Sequence, residues 1–361
     1  MRKIVFWGML GLALLSSCKR KLAEPRPTIP LVYSVAGDTT HVGRLAAEAG
    51  SRGADGSIAI IGEPLDAIAL SGSFLSADRM DNIDGSEKRD SLPDFAGESF
   101  SVILDDYNAP YSHFVQPSAH AWQHLDSLRE AAVRNALFAW DSTCVHNPAK
   151  LIIFTSSLQA EYGLFDVDTL QQLTGGKSIV LSSAKLMLEQ AYRDGARNLA
   201  VWTSPQVAGA EVWQKLFSQY AWADAQLTVL SPEPALDVRT ELRHLLRQYR
   251  SAGRTLDALL LDSYSAKPSL LNSELYLIRQ GGTEEDAYFD KMISRDFRFL
   301  EPRNCVVQAT YRILRSQSLF THRIARPSVR YYETVESAQG LPVLEAVTAS
   351  YVQNAYVQRF D

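Results

Sequence analysis

Polar side chains directly follow several apolar runs of the chain, and their types suit the recognition of a small polar molecule. Hydroxyls, carboxylates and phenols can hydrogen-bond the hydroxyls or the amine of a ligand. If the apolar runs are parallel strands, these side chains stand at the carboxyl ends of strands, where open α/β sheets bind ligands. The candidate ligand-binding residues are Glu63, Asp105, Asp106, Tyr107, Ser156, Ser157, Ser204, Asp262, Ser263 and Tyr264. Any single one could instead cap the next helix, so the prediction concerns the set.

An acidic stretch between residues 78 and 106 allows a calcium site or a catalytic pair of carboxylates as further interpretations. The segment Asp81-Asn-Ile-Asp-Gly lacks the order of oxygen ligands and the terminal glutamate of a calcium loop. Arg79 and Arg89 are interleaved with the acids, which favours a solvated, salt-bridged loop. We therefore predict no metal, while carboxylates of residues 81–106 remain an open alternative as a general acid and base.

The sequence contains none of the common short catalytic or cofactor-binding motifs. It has no G-x-S-x-G, no phosphate-binding loop, no H-E-x-x-H and no G-x-G-x-x-G. His120 and His124 are four residues apart, but a pair of surface histidines explains them equally well. We therefore predict no cofactor and no catalytic residue, and the interpretation leans away from an enzyme.

The elements that would position the candidate residues alternate between strands and helices. The predicted strands are Leu31–Val35, Ile58–Ile61, Phe100–Leu104, Leu151–Phe154, Ser178–Leu181, Leu199–Trp202, Leu227–Leu230, Leu256–Leu261 and Leu275–Ile278. The predicted helices are Leu125–Trp140, Ala184–Tyr192, Val207–Tyr220 and Val238–Tyr249. Continuous apolar strands that alternate with amphipathic helices indicate an α/β protein whose parallel sheets are covered on both faces.

The segment from Ser182 to Tyr264 is similar to the opening of the second lobe of type I periplasmic-binding proteins. A capped helix stops at Gly195, the strand Asn-Leu-Ala-Val-Trp follows, and the crossovers then repeat. The resemblance implies two doubly wound parallel-sheet lobes with a ligand in the cleft between them. The expected organisation is a first lobe over 31–177 with an acidic loop insertion at 63–99, a second lobe over 178–265, and returning segments over 266–361. The returning part has β-like runs at Ser328–Thr334 and Tyr351–Val357.

The first residues have the pattern of a secretory signal. Arg2 and Lys3 precede the apolar run Ile4–Leu15, which is short for a membrane span. The ending Leu-Ser-Ser-Cys resembles the lipobox of bacterial lipoproteins, which implies cleavage after residue 17 and acylation of Cys18 with palmitoyl-type chains. Residues 18–30 contain three prolines and are predicted to form a stiff lipidated tether.

Charge and cysteine content restrict the partners and the compartment. Removal of residues 1–17 takes away two basic residues and leaves 34 Lys and Arg against 41 Asp and Glu. This acidic balance makes nucleic acid an unsuitable partner, whereas the basic residues after Cys18 suit anionic lipid headgroups. No acidic run follows Lys19, which favours a periplasm-facing anchor over the cell surface. Cys144 and Cys305 could form a disulfide or remain two free thiols, and both alternatives stay open.

The sequence thus predicts a lipid-anchored solute-binding protein of the bacterial cell envelope. It would take a sugar, a nucleoside or an amino-acid-like ligand and pass it to a membrane transporter or receptor. Two alternatives remain: an envelope hydrolase that uses carboxylates of residues 81–106, and a structural or partner-binding lipoprotein without a small-molecule site.

Overall fold

Two sheets of mainly parallel strands form the framework of the molecule. The computed structural model describes residues 27–115, 121–220, 222–231 and 237–357. In those ranges, the strands are β1 (Ser57–Gly62), β2 (Ser99–Leu104), β3 (Ala149–Phe154), β4 (Ile179–Ser182), β5 (Asn198–Trp202), β6 (Gln226–Leu230), β7 (Leu256–Leu261), β8 (Ile293–Leu300), β9 (Ser328–Glu336) and β10 (Pro342–Val347). The first lobe is built on the sheet β10-β9-β2-β1-β3-β4, and the second lobe on the sheet β6-β5-β7-β8. The prediction of an α/β fold with two parallel-sheet lobes is confirmed.

Helices connect the strands and cover both sheets. They are α1 (Pro30–Ala36), α2 (His41–Ala47), α3 (Pro64–Leu75), α4 (Ala121–Trp140), α5 (Ser157–Tyr162), α6 (Leu164–Thr174), α7 (Ser183–Arg193), α8 (Pro205–Gly209), α9 (Val212–Ser218), α10 (Val238–Tyr249), α11 (Pro268–Arg279), α12 (Glu284–Met292), α13 (Pro302–Ser316) and α14 (Ala349–Val352). No helix in the described ranges is both long enough and apolar enough to cross a membrane.

Alternate residues of the central strands face two separate cores. On β1, Ala59 and Ile61 belong to one core, while Ile58 and Ile60 belong to the core on the opposite face. The strands of the second lobe are divided in the same way between two further cores. Because both faces are buried, these strands are continuous apolar runs without polar alternation, which explains why the sequence pattern revealed them.

The second lobe repeats the strand order of the first. The parallel order β2-β1-β3-β4 of the first sheet corresponds to the parallel order β6-β5-β7-β8 of the second. In each lobe the second strand lies on one side of the first strand, and the third and fourth strands lie on its other side. The connections that follow β1 and β3 therefore run in opposite directions across the sheet, as do those that follow β5 and β7. Each of these two pairs of strands is a topological switch point. The repeat extends to the loops, because Glu63-Pro64 after β1 corresponds to Ser204-Pro205 after β5.

Three short segments predicted as strands are helical, and two strands lacked a recognised signal. Leu31–Val35 lies in α1, Leu275–Ile278 lies in α11, and residues 351–357 form helical turns. A short apolar run does not distinguish a strand from the buried face of a helix, and a proline at the first turn starts both α1 and α11. The unrecognised strands, β8 and β10, are edge strands and are only partly buried, so neither forms a continuous apolar run.

The lobes also divide the chain at different positions from those expected. The segment 63–99 begins with α3, whose buried residues Ala67, Leu70 and Phe74 have helical spacing, and only the remainder is a loop. Strand β4 pairs with β3 in the first sheet, so the second sheet starts at β5. Of the returning segments, β8 joins the second sheet, while β9 and β10 join the first. The predicted signal peptide and Cys18 lie outside the described residues.

Gly62 should tolerate no side chain, because β1 and β3 approach closely at the switch point. A Cβ atom at Gly62 would lie 1.8 Å from Thr155 Oγ1 and 3.0 Å from Thr155 Cβ. We expect Gly62→Ala to lower the free energy of unfolding by about 1–3 kcal/mol. The matched control is Gly72→Ala in α3, where a Cβ meets no atom within 4 Å and helix propensity should add up to ~1 kcal/mol. Urea denaturation measures both, and equal stability of the two variants would contradict the prediction.

Candidate functional site

The carboxyl ends of the central strands of both lobes meet at one interlobe cleft. Its cavity of about 240 Å³ is lined by residues that follow β1, β3, β5 and β7, together with the first residue of α7. The polar lining residues are Glu63, Asp66, Ser112, Thr155, Ser156, Ser157, Ser183, Thr203, Ser204, Asp262 and Tyr264. Both topological switch points therefore face the same space, which is where an α/β sheet binds its ligand.

The first lobe contributes two carboxylates from the start of α3. Glu63 Oε1 accepts a hydrogen bond from the backbone N–H of Tyr111 at 2.9 Å, and burial raises the pKa of Glu63. Asp66 lies one turn further along the helix. Burial, followed by the negative charges of Glu63 and Asp262, raises the pKa of Asp66 to about 7. No described residue donates a hydrogen bond to the Asp66 carboxyl group, so this group is both titratable near neutrality and available.

The second lobe contributes Asp262, whose carboxylate connects the two lobes. Its Oδ2 atom accepts hydrogen bonds from Ser157 Oγ at 2.9 Å, Thr203 Oγ1 at 2.6 Å and Trp213 Nε1 at 2.8 Å. Ser157 belongs to the first lobe, and the other two donors belong to the second. Burial raises the pKa of Asp262 despite these three bonds. All recorded bonds use Oδ2, so among the described residues none occupies Oδ1.

Hydroxyl groups and helix N-termini line the rest of the cleft. Ser156 Oγ accepts from the backbone N–H of Leu158 and caps α5, while Ser204 caps α8. The helix that starts at Ser183 also begins at the cleft. The N-terminus of a helix carries partial positive charge and free N–H groups, which favour an anionic group. Thr155 Oγ1 is buried beside them, and no residue in the described ranges hydrogen-bonds to it. The cleft thus combines carboxylates on some walls with donors on others.

Asp105 lies behind the cleft and supports it. The side chain is fully buried and accepts hydrogen bonds from Tyr111 Oη, Asn108, Asn135 and Thr334. Burial raises the pKa of Asp105. Because the backbone N–H of Tyr111 in turn holds Glu63, Asp105 positions a cleft residue instead of lining the cleft.

The structure brings only some of the predicted site residues together. The cleft is lined by Glu63, Ser156, Ser157, Ser204, Asp262 and Tyr264, while Ser263 lines an adjoining cavity. The residues Asp105, Asp106 and Tyr107 lie elsewhere: Asp106 is exposed, and the Tyr107 hydroxyl donates to the carbonyl of Gly340. Sequence reasoning missed Asp66. The spacing Glu63-Pro-Leu-Asp66 directly after a strand was the available signal, because residues three apart share a helix face.

The carboxylates of the acidic loop are mainly engaged in the fold of the loop itself. Asp81, Asp84, Asp90 and Asp94 accept hydrogen bonds mainly from backbone N–H groups of the same loop. Local turns of this kind fold a loop onto itself. No three His, Cys, Asp or Glu side chains in the described ranges are placed to hold a metal ion. These local bonds give the carboxylates of residues 81–106 a structural role and do not support the hydrolase interpretation based on them.

The two cysteines within the described residues are free thiols and lie outside the cleft lining. Cys305 is buried in α13, and burial raises its pKa to about 12. Cys144 is half-buried, and its thiol donates to Asp141. Burial also raises the pKa of Cys144, so both groups are thiols at neutral pH.

Comparison with known proteins defines the fold class. No family model matches the sequence, and no curated protein matches it significantly. The structure is similar to glutamate racemase from Francisella tularensis in complex with D-glutamate, with a TM-score of 0.51 and 13% identity over 80% of this chain and 91% of that one. It is also similar to glutamate racemase isoform RacE1 from Bacillus anthracis, with a TM-score of 0.52 and 12% identity over 84% and 94% of the two chains. These matches establish a two-lobe α/β fold of the glutamate racemase type.

The matches correct the predicted periplasmic-binding-protein resemblance and the solute-binding function drawn from it. The pattern from Ser182 to Tyr264 reflects repeated strand–helix crossovers, which any doubly wound lobe can contain. This sequence pattern correctly indicated a doubly wound parallel sheet, but it did not identify the protein family. The alternative of a protein without a small-molecule site is not supported either, because the described residues form an open cleft with a polar lining.

Asp262 should be needed for stability as a hydrogen-bond acceptor. Asp262→Ala leaves the donors on Ser157, Thr203 and Trp213 without a partner and should cost about 2–4 kcal/mol of unfolding free energy. Asp262→Asn keeps an oxygen at the position of Oδ2 and should remain within about 1 kcal/mol of wild type. Urea denaturation at neutral pH compares both with Asp106→Ala, an exposed control. Wild-type stability of Asp262→Ala would show that this carboxylate does not hold the lobes together.

Asp66 should make the folded protein less stable as pH rises. Its pKa of about 7 in the folded protein lies above the ordinary value for an aspartate, so the stability present below pH 4 is lost as pH rises towards 7. Asp66→Asn removes this loss, and its Tm should exceed that of wild type by about 2 °C or more at pH 8, with little difference at pH 4. Asp290→Asn, an exposed change on α12, controls for the altered net charge. A pH-independent difference for Asp66→Asn would contradict the assigned titration.

Proposed function

We propose that the interlobe cleft is the active site of an isomerase that moves a proton at the carbon next to the carboxylate of an amino-acid-like substrate. The observation that carries the proposal is the meeting of Asp66 and Asp262, from different lobes, in one cleft. One of these carboxyl groups, that of Asp66, has a pKa of about 7 and no hydrogen-bond donor among the described residues. The similarity to glutamate racemases supports the same class of reaction.

Inversion at such a carbon requires an acid and a base on opposite sides. The ionised carboxylate takes the proton from the C–H bond, and the electron pair stays on the substrate as an enediolate. The protonated carboxyl group on the other side then returns a proton to the carbon, so the overall composition is unchanged. Carboxylates serve as bases next to carbonyl groups in other enzymes. The mutual repulsion of Asp66 and Asp262 favours one ionised and one protonated group, which is the state that the reaction needs.

The remaining groups of the cleft suit the two charges of an amino acid. Glu63 can pair with an ammonium group, and the N-termini of α5 and α7 favour a carboxylate. The buried Thr155 hydroxyl, for which the described part of the chain offers no partner, can donate to the same carboxylate. The D-glutamate bound to the Francisella tularensis protein supports an amino-acid ligand for this fold.

Proton exchange in D₂O tests the proposed reaction. We expect the purified protein to replace the α-hydrogen of at least one common L-amino acid with deuterium and to form the D enantiomer, as measured by NMR and chiral chromatography. Asp66→Asn and Asp262→Asn should each lower the rate by about 10²-fold or more, because each removes one proton-transfer group. Asp290→Asn should leave the rate unchanged. Absence of both exchange and inversion across all twenty amino acids would remove the proposal.

We also propose that the protein is anchored in the bacterial envelope through Cys18 and faces the periplasm. The basis is the Leu-Ser-Ser-Cys ending of an apolar leader. Wild-type protein should fractionate with membranes and take up labelled palmitate, and Cys18→Ala should do neither because stable anchoring needs the acyl chains. Cys144→Ala is the matched control. Unlabelled wild-type protein would contradict acylation.

A further inference from the structure

A second, larger cavity adjoins the cleft on the side of the second lobe. Its volume is about 490 Å³, and it shares Thr203, Ser204 and Asp262 with the lining of the cleft. The smaller cleft, at about 240 Å³, is below the usual range for a complete ligand site, whereas the adjoining cavity is within it. A molecule held next to Asp262 can therefore extend in one direction into this space, which we call the side pocket.

The walls of the side pocket are mainly apolar. Trp202 and Leu261 come from the ends of β5 and β7, Val238 comes from α10, and Leu270 and Leu271 come from α11. Leu261 and Leu271 are almost fully buried and belong to the core of the second lobe, so this part of the wall is fixed by packing. Apolar walls stabilise apolar groups by removing them from water.

The charged residues of the side pocket do not favour a second carboxylate. Apart from Asp262 at its junction with the cleft, the side pocket is lined by two charged residues, Glu241 and Lys267, of opposite sign. Burial, followed by the charge of Asp237, raises the pKa of Glu241. A carboxylate pushed deeper would lie against leucine and tryptophan side chains, where desolvation is costly.

We infer that the side pocket determines substrate specificity by holding a large apolar or aromatic side chain of the amino acid whose α-carbon lies beside Asp262. This inference rests on the proposed function for the location of the α-carbon. It assigns a substrate class that differs from the dicarboxylate D-glutamate bound to the Francisella tularensis racemase.

Direct binding of L-tryptophan tests the side pocket without requiring turnover. Isothermal titration calorimetry on wild-type protein should give a Kd for L-tryptophan at least 10-fold lower than those for L-alanine and L-glutamate. Ser265→Trp and Leu270→Trp each place a bulky group at the partly exposed edge of the side pocket and should raise the Kd for L-tryptophan at least 10-fold. Ser269→Trp, an exposed change on the same helix outside the lining, is the matched control.

The outcomes separate this inference from the proposed function. α-Hydrogen exchange of L-alanine with no preference for L-tryptophan, or L-tryptophan binding unaffected by both blocking variants, would overturn the side-pocket inference and leave the proton-transfer proposal in place. L-Tryptophan binding that both blocking variants abolish would support the side pocket even if no amino acid undergoes exchange. Near-ultraviolet circular dichroism confirms that each variant is folded, and two independent blocking positions guard against the failure of one.

Discussion

The arrangement of the two lobes depends on one carboxylate oxygen, Asp262 Oδ2. Three donors converge on it, one from the first lobe and two from the second. Burial of a carboxylate costs free energy unless the carboxylate is hydrogen-bonded. The three hydrogen bonds therefore fix the positions of the donors as well as that of the carboxylate. Because the loop after β7 is fixed against the start of α5, the width of the cleft is set at the point where the proposed chemistry takes place.

A second network holds the opposite wall from behind. Gln159 donates to the Tyr111 hydroxyl, which donates to Asp105, while the backbone of Tyr111 holds Glu63. All of these side chains except Glu63 are almost fully buried. The carboxylates that face the cleft are therefore carried by strand ends and helix starts whose supporting partners lie in the protein interior. This is the support that a proton-transfer site needs, because small displacements of its groups lower the rate strongly.

The sequence revealed the central sheets but only part of the site. Strands buried on both faces, such as β1 and β3, are continuous apolar runs, and the polar residues that follow them were correctly expected at the carboxyl ends. That rule identified Glu63 and Asp262. It also selected Asp105, Asp106 and Tyr107, because it does not indicate which strand ends flank a switch point. Strand order depends on contacts between distant segments, and local patterns carry no information about it. Asp66 was missed because it lies inside a helix. The family was misassigned because strand–helix repeats are common to many doubly wound proteins.

The repeated strand order also bears on the history and the symmetry of the site. Two lobes with the order second-first-third-fourth are what duplication of a half-sized ancestor would leave. Corresponding positions of the two halves, Thr155 after β3 and Asp262 after β7, then both line the cleft. A planar reaction intermediate between them would meet related backbone geometry on its two faces. If the proposed reaction interconverts mirror images, such a paired framework would treat both directions alike, and a later change in one half could bias the reaction towards one hand.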